Sequence, residues 1–167
     1  MKKIGLLSIA FLLLQQACTI NYSLSGASIA PEIETVSIQY FVNRAPLGLA
    51  NLEQYFTDEL IDKFKSQTNL TVVNDMGDLN FEGEITNYST RPMAITGDET
   101  AAQNRLTITV HVKFTNEVQP EYNFDSDFSQ YADYDSDRNL SDIEQELVEE
   151  IVDKLIQDIF NKAVVNW

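Results

Sequence analysis

The chain is predicted to fold as α+β: a mixed, mostly antiparallel sheet of four to five strands with two helices on one face. Three observations predict it. Apolar and polar residues alternate with period two in several short segments, most cleanly over residues 105–116. Two other segments, beginning near Asn51 and Ser141, repeat apolar residues at helical spacing instead. After the first helix, strand-like segments follow one another with only turns between them, which implies antiparallel hairpins packed under helices.

The first strand is read over residues 34–41, with Val36, Ile38 and Tyr40 on one side and Ser37 and Gln39 on the other. Pro46 and Gly48 mark a turn, and Asn51, with Gln54 three residues on, has the form of a capping box. Leu52, Tyr55, Phe56, Leu60 and Phe64 then form one helical stripe, while Asp58, Asp62 and Lys65 face water. An aromatic-rich stripe of this kind is core. Residues 70–74 read as a short strand, and Asp75-Met76-Gly77-Asp78 as a tight turn. A helical crossover joins the first strand to this one, which suits a parallel pair.

Residues 79–88 form the next strand, with Gly83 in the row of Leu79, Phe81 and Ile85. A glycine there marks a bulge or a close backbone approach. A loop is read over 89–104. Over 105–116, Leu106, Ile108, Val110, Val112 and Phe114 face one way, and Thr107, Thr109, His111 and Lys113 the other. Residues 121–130 add an edge strand through Tyr122, Phe124 and Phe128, and 131–139 reads as an acidic loop. Ser141 and Glu144 form a capping box for a helix to about residue 165, whose stripe is Ile143, Leu147, Ile151, Leu155, Ile159 and Val164.

The formal charge is −15, and it becomes −17 once Lys2 and Lys3 are removed with a leader. Such a surface repels polyanions, so nucleic acid is excluded as a partner. The leader is read over residues 1–17: a basic start, an apolar run of about ten residues and a cysteine at the cut. The run is shorter than the ~20 residues of a membrane span. Cys18, the only cysteine, sits in a motif that resembles a lipobox, the site at which bacterial lipoproteins are diacylated, although Gln15 and Gln16 fill positions that are normally apolar or small. Residues 18–31 follow as a small-residue tether, and 32–167 as one domain. A lone thiol leaves no disulfide.

Catalytic chemistry is sparse. His111 is the single histidine, in the polar row of a threonine-rich strand, and no nucleophile elbow or phosphate-cradling glycine loop occurs. A chance pair of carboxylates among 26 acidic residues keeps a small hydrolase as one weak reading. No cofactor is expected. Asp133, Asp135, Asp137 and Glu144 match positions 1, 3, 5 and 12 of a calcium loop, but Arg138 stands where that loop needs glycine. A lipid-anchored periplasmic binding module, with calcium dependence as one version of it, is the alternative reading, while acidic residues ahead of a helix also suit its dipole without a metal. Arg91, beside Pro92, and Arg105 bracket the 89–104 loop, where two guanidinium groups can grip a phosphate or a carboxylate or pair with nearby acids.

Several motifs converge on one family: Tyr22-Ser23-Leu24-Ser25-Gly26 after the cysteine, Val36-Ser37-Ile38-Gln39-Tyr40-Phe41-Val42-Asn43, then Gly77-Asp78-Leu79-Asn80-Phe81-Glu82-Gly83-Glu84-Ile85 and Asn104-Arg105-Leu106-Thr107-Ile108-Thr109-Val110. In this order, behind a lipobox-like cysteine, they resemble the LptE family of lipopolysaccharide-assembly lipoproteins in a Bacteroidetes-like form. The resemblance implies a small α+β domain, lipid-anchored at Cys18 in the outer membrane and facing the periplasm. It implies a plug within the lumen of an LptD-type β-barrel, which it helps to assemble and to deliver lipopolysaccharide, with no catalysis. Lipopolysaccharide itself is then a possible ligand, and Arg91, Pro92, Arg105, Thr107, Thr109 and His111 are the candidate contacts.

Overall fold

The alternation over 105–116 becomes the central strand of the structure, a computed structural model that describes residues 29–93 and 102–164. In chain order the elements are β1 (Thr35–Ile38), β2 (Val42–Asn43), α1 (Leu52–Gln67), β3 (Thr71–Val73), β4 (Leu79–Pro92), β5 (Gln103–Asn116), a 3-10 turn (Pro120–Tyr122), β6 (Phe124–Asp135) and α2 (Leu140–Val164). The strands form one six-stranded sheet in the order β3-β1-β4-β5-β6, with β2 also on β4. β4, β5 and β6 are antiparallel, as tight connections require, whereas β1 runs parallel to β3 and β4. The extra strand over the expected four to five is β2.

β2 exists because the segment read as one strand is broken. Ile38 pairs with Phe81 and Val42 with Glu84, so three residues, 39–41, stand against two on β4. The additional residue reverses the alternation, as a bulge does. Tyr40, expected beside Val36, therefore points to solvent, and Phe41 is buried in its place. The Phe41 N–H donates to Thr57 Oγ1 at 3.2 Å, and its ring lies 4.9 Å from that of Phe56.

Both helices cover one face of the sheet. Leu52, Phe56, Leu60 and Phe64 of α1 and Ile143, Leu147, Ile151, Leu155 and Ile159 of α2 bury against Val36, Phe81, Ile85 and the apolar row of β5. Aromatic rings run across this layer, from Phe160 to Phe64 to Phe81 to Phe114 to Phe124, with neighbouring centroids 4.7–5.1 Å apart. Offset and edge-on contacts of this kind add about 0.5–1.5 kcal/mol per pair beyond burial.

Other local expectations are corrected. Asn51 makes no side-chain cap; it sits in the left-handed region at φ 63°, which asparagine tolerates, and so turns the chain into α1. The 89–104 loop is shorter than expected, because β4 continues to Pro92 and β5 begins at Gln103. Residues 131–135 are strand rather than loop, since period two persists through Phe124, Phe128, Ala132 and Tyr134 on the helix side. The helix α2 already includes Leu140, so Ser141 lies inside it, and Glu144 accepts a hydrogen bond from the Tyr88 hydroxyl instead of closing a capping box.

Candidate binding face of the sheet

The face of the sheet turned away from the helices is built by the odd-numbered residues of β5 and their neighbours in register. Five cross-strand rows span β4, β5 and β6: Arg91–Arg105–Asp133, Ser89–Thr107–Tyr131, Asn87–Thr109–Ser129, Glu84–His111–Asp127 and Glu82–Lys113–Asp125. A register shift between Ile85 and Asn87 keeps both halves of β4 in phase with β5.

The rows differ in charge. The two middle rows are uncharged and bonded among themselves, with Thr109 Oγ1 and Ser129 Oγ at 3.0 Å and Asn87 Nδ2 donating to Ser89 Oγ at 3.1 Å. Charged rows bracket them, and their charges are largely engaged. Arg105 holds Asp133 with two bonds, Nε at 2.7 Å and Nη2 at 2.8 Å, and its guanidinium lies 3.5 Å from the centre of the Tyr131 ring. These bonds hold the Asp133 carboxyl below the usual aspartate range, the Arg105 hydrogen bond being the main cause.

At the other end His111 is clasped by two carboxylates, Asp127 at Nδ1 (2.7 Å) and Asp125 at Nε2 (2.8 Å). Its pKa is raised, chiefly by the Asp127 hydrogen bond, which outweighs the opposing desolvation, and further by the charges of Asp125, Asp127 and Glu84. Lys113 approaches Glu82 at 3.7 Å, and Arg44 approaches Glu84 at 3.4 Å. The bulge that turns Tyr40 outward sets it, with Gln39, at the rim of a shallow depression floored by Glu82, Glu84, His111, Lys113 and Asp125.

The structure thus brings Arg91, Arg105, Thr107, Thr109 and His111 onto one face. Pro92 pairs with Asn104, one step out of phase, and takes the alternate side. Arg91 and Arg105 do not merely bracket a loop; they are direct cross-strand partners. Cys18 lies outside the described residues. Of the calcium-loop candidates, Asp133 and Asp135 belong to β6, Asp133 is paired with Arg105, and Glu144 accepts from the Tyr88 hydroxyl. Among the described residues no three His, Cys, Asp or Glu side chains converge as a metal site. Beyond Arg91, sequence reasoning missed the β4 and β6 members of the face; for β6 the signal was the period two that runs on from Phe124 to Tyr134.

The helix side contrasts with this face. Glu59, Asp62 and Asp153 line an open groove between α1 and α2 with Lys63 and Gln157. Desolvation, followed by the charges of Asp153 and Asp62, raises the Glu59 pKa, so this side is an acidic, self-repelling surface.

The family model LptE, described as lipopolysaccharide-assembly, matches residues 33–163, which takes in every element from β1 to nearly the end of α2. The chain belongs to the LptE family. No curated protein sequence matches this LptE chain. Its fold is shared with a putative neuraminyllactose-binding hemagglutinin homolog from Helicobacter pylori, at TM-score 0.55 and 9% identity over 85% of this chain and 89% of the other. It is also shared with an uncharacterized lipoprotein B from Nitrosomonas europaea, at TM-score 0.52 and 15% identity over 87% and 88%. At these identities the likeness is one of fold. The LptE assignment makes the chain a lipoprotein-family protein of lipopolysaccharide assembly.

Proposed function

We propose that this LptE protein is cleaved before Cys18, acylated there, and held in the outer membrane facing the periplasm, with residues 18–31 as tether and 32–167 as the functional domain. The domain occupies the lumen of an LptD-type β-barrel, supports its assembly, and so serves lipopolysaccharide transport and insertion without catalysing a reaction.

The observation that carries this reading is the sheet face. Two uncharged rows, Ser89–Thr107–Tyr131 and Asn87–Thr109–Ser129, lie between rows in which Arg105 is paired with Asp133 and His111 with Asp127. The wall of a membrane barrel is polar inside, and burying paired charges and hydroxyls against it avoids the cost of stranding a bare ion. The same geometry favours protein over lipopolysaccharide as the occupant of this face, because the Arg105 guanidinium is engaged by Asp133 and Tyr131.

The test is a pull-down from mildly solubilised outer membranes through a tag after Trp167. A large β-barrel protein recovered in near-equal amount is the expected result. Recovery of the domain alone overturns the proposal.

A further inference from the structure

The sheet has two distinct ends. At one, the first described residues meet the end of the chain's last helix: Ile29, Ala30 and Ile33 line a narrow crevice with Leu79, Tyr122, Ala163 and Val164. The turn before β4 and the turn after β5 close the same end, tied by the Glu117 N–H bonding the Asp78 carbonyl at 2.9 Å. At the other end β4 and β5 run out together towards Pro92 and Gln103.

The exposed apolar side chains of the first end belong to those turns. Met76 is 80% exposed, Val118 39% and Tyr122 40%, beside the half-buried Ile29. Asp75, Glu117 and Glu121 stand among them, and no basic residue is in their segments. A methionine, a valine and a tyrosine at loop tips are the side chains that partition into the boundary between headgroups and acyl chains, with tyrosine favoured there. The carboxylates beside them restrict such a surface to lipid without net negative charge.

We propose that, before a barrel receives it, the acylated domain seats this end, through Met76, Val118 and Tyr122, on the surface of the bilayer that holds the Cys18 acyl chains. The inference rests on the acylation of Cys18 in the reading above but not on the barrel. Ten residues separate Cys18 from Ile29, a reach of at most about 40 Å, and Ile29 lies at the proposed end. Seated so, the domain stands upright. The 14 residues of β4, at about 3.3 Å each, carry Arg91 and Arg105 roughly 45 Å from the membrane surface.

The test uses the acylated chain, extracted from membranes and reconstituted without any barrel into phosphatidylcholine vesicles with brominated acyl chains. In a Trp167→Phe background, Met76→Trp, Val118→Trp and Leu47→Trp each carry a single indole. Leu47 is 70% exposed and follows β2, which pairs with the middle of β4, so it is the control away from the tether end. The expected result is strong quenching at positions 76 and 118 and little at 47. Equal quenching at all three, or none at 76 and 118, overturns the proposal. Neither result depends on the pull-down, so the two readings fail separately.

Discussion

The ring of Phe41 occupies the space that a side chain on Gly83 would need. A Cβ at Gly83 would fall 2.4 Å from Phe41 Cε1 and 2.3 Å from the carbonyl oxygen of His111, the second of which is backbone and cannot swing aside. The bulge at residues 39–41 and the glycine at 83 are thus one device, with the bulge delivering the ring and the glycine receiving it. Gly83→Ala is expected to destabilise the domain by about 3 kcal/mol, at the upper end of overpacking costs. Urea unfolding checks it: the midpoint falls while the slope is unchanged.

Thr109 sits at the centre of the uncharged rows, between Asn87 and Ser129. Thr109→Arg puts an unpaired charge and a long side chain there. Being half exposed, the site tolerates it, and stability is expected to stay within about 0.5 kcal/mol. Capture of the barrel is expected to fall sharply. Asp62→Arg, on the helix side, serves as control with capture intact. Loss of capture in the control and not in Thr109→Arg would assign the interface to the helices.

How much of this was legible in the sequence depends on whether a signal is local. The rows of β5 were readable because Leu106 to Phe114 alternate without a break. Which aromatic of Tyr40 and Phe41 turns inward was not, because a one-residue bulge is set by pairing with Gly83 on another strand. β6 was half read: its outward aspartates at 125, 127, 133 and 135 have loop-like composition, although the inward row through Tyr134 keeps the strand period. The partnership of Arg105 with Asp133 spans 28 residues and follows from sheet register, which composition does not encode.

His111 makes the junction of β5 and β6 sensitive to pH. The groups facing it are Asp125 and Asp127 of β6 and Glu84 of β4, with Lys113 in the neighbouring row. Its folded pKa is raised, so its contribution is full below the unfolded value of about 6.5 and is lost as pH rises through the folded value. The stability gap between wild type and His111→Gln is therefore expected to be widest at mildly acid pH and to close in alkali. Thermal melts of both proteins from about pH 5 to 9 read it directly. A gap that widens with pH would reverse the assignment.

Asp78 binds the start of β4 to the start of β1. Its Oδ2 accepts from Thr35 Oγ1 at 2.7 Å, from the Thr35 N–H at 2.9 Å and from the Glu34 N–H at 3.0 Å, while its own N–H donates back to Thr35 Oγ1 at 2.9 Å. The Thr35 hydroxyl and then the two backbone donors favour the charged form, and the pKa is lowered. A group of this sign contributes above its unfolded pKa of about 3.9 and loses the contribution as pH falls through the folded value. Asp78→Asn keeps the shape and removes the charge from three acceptor bonds, so a loss of about 1–2 kcal/mol is expected at neutral pH. The loss should shrink below about pH 4, where the wild-type carboxylate is protonated too. Because the clasp spans residues 34 to 78, the damage falls on the β1–β4 pairing. Amide exchange of Gln39, whose N–H donates to the Phe81 carbonyl, should quicken before that of β5. Uniform quickening across β5 as well would mean that the clasp supports the whole sheet rather than its parallel edge.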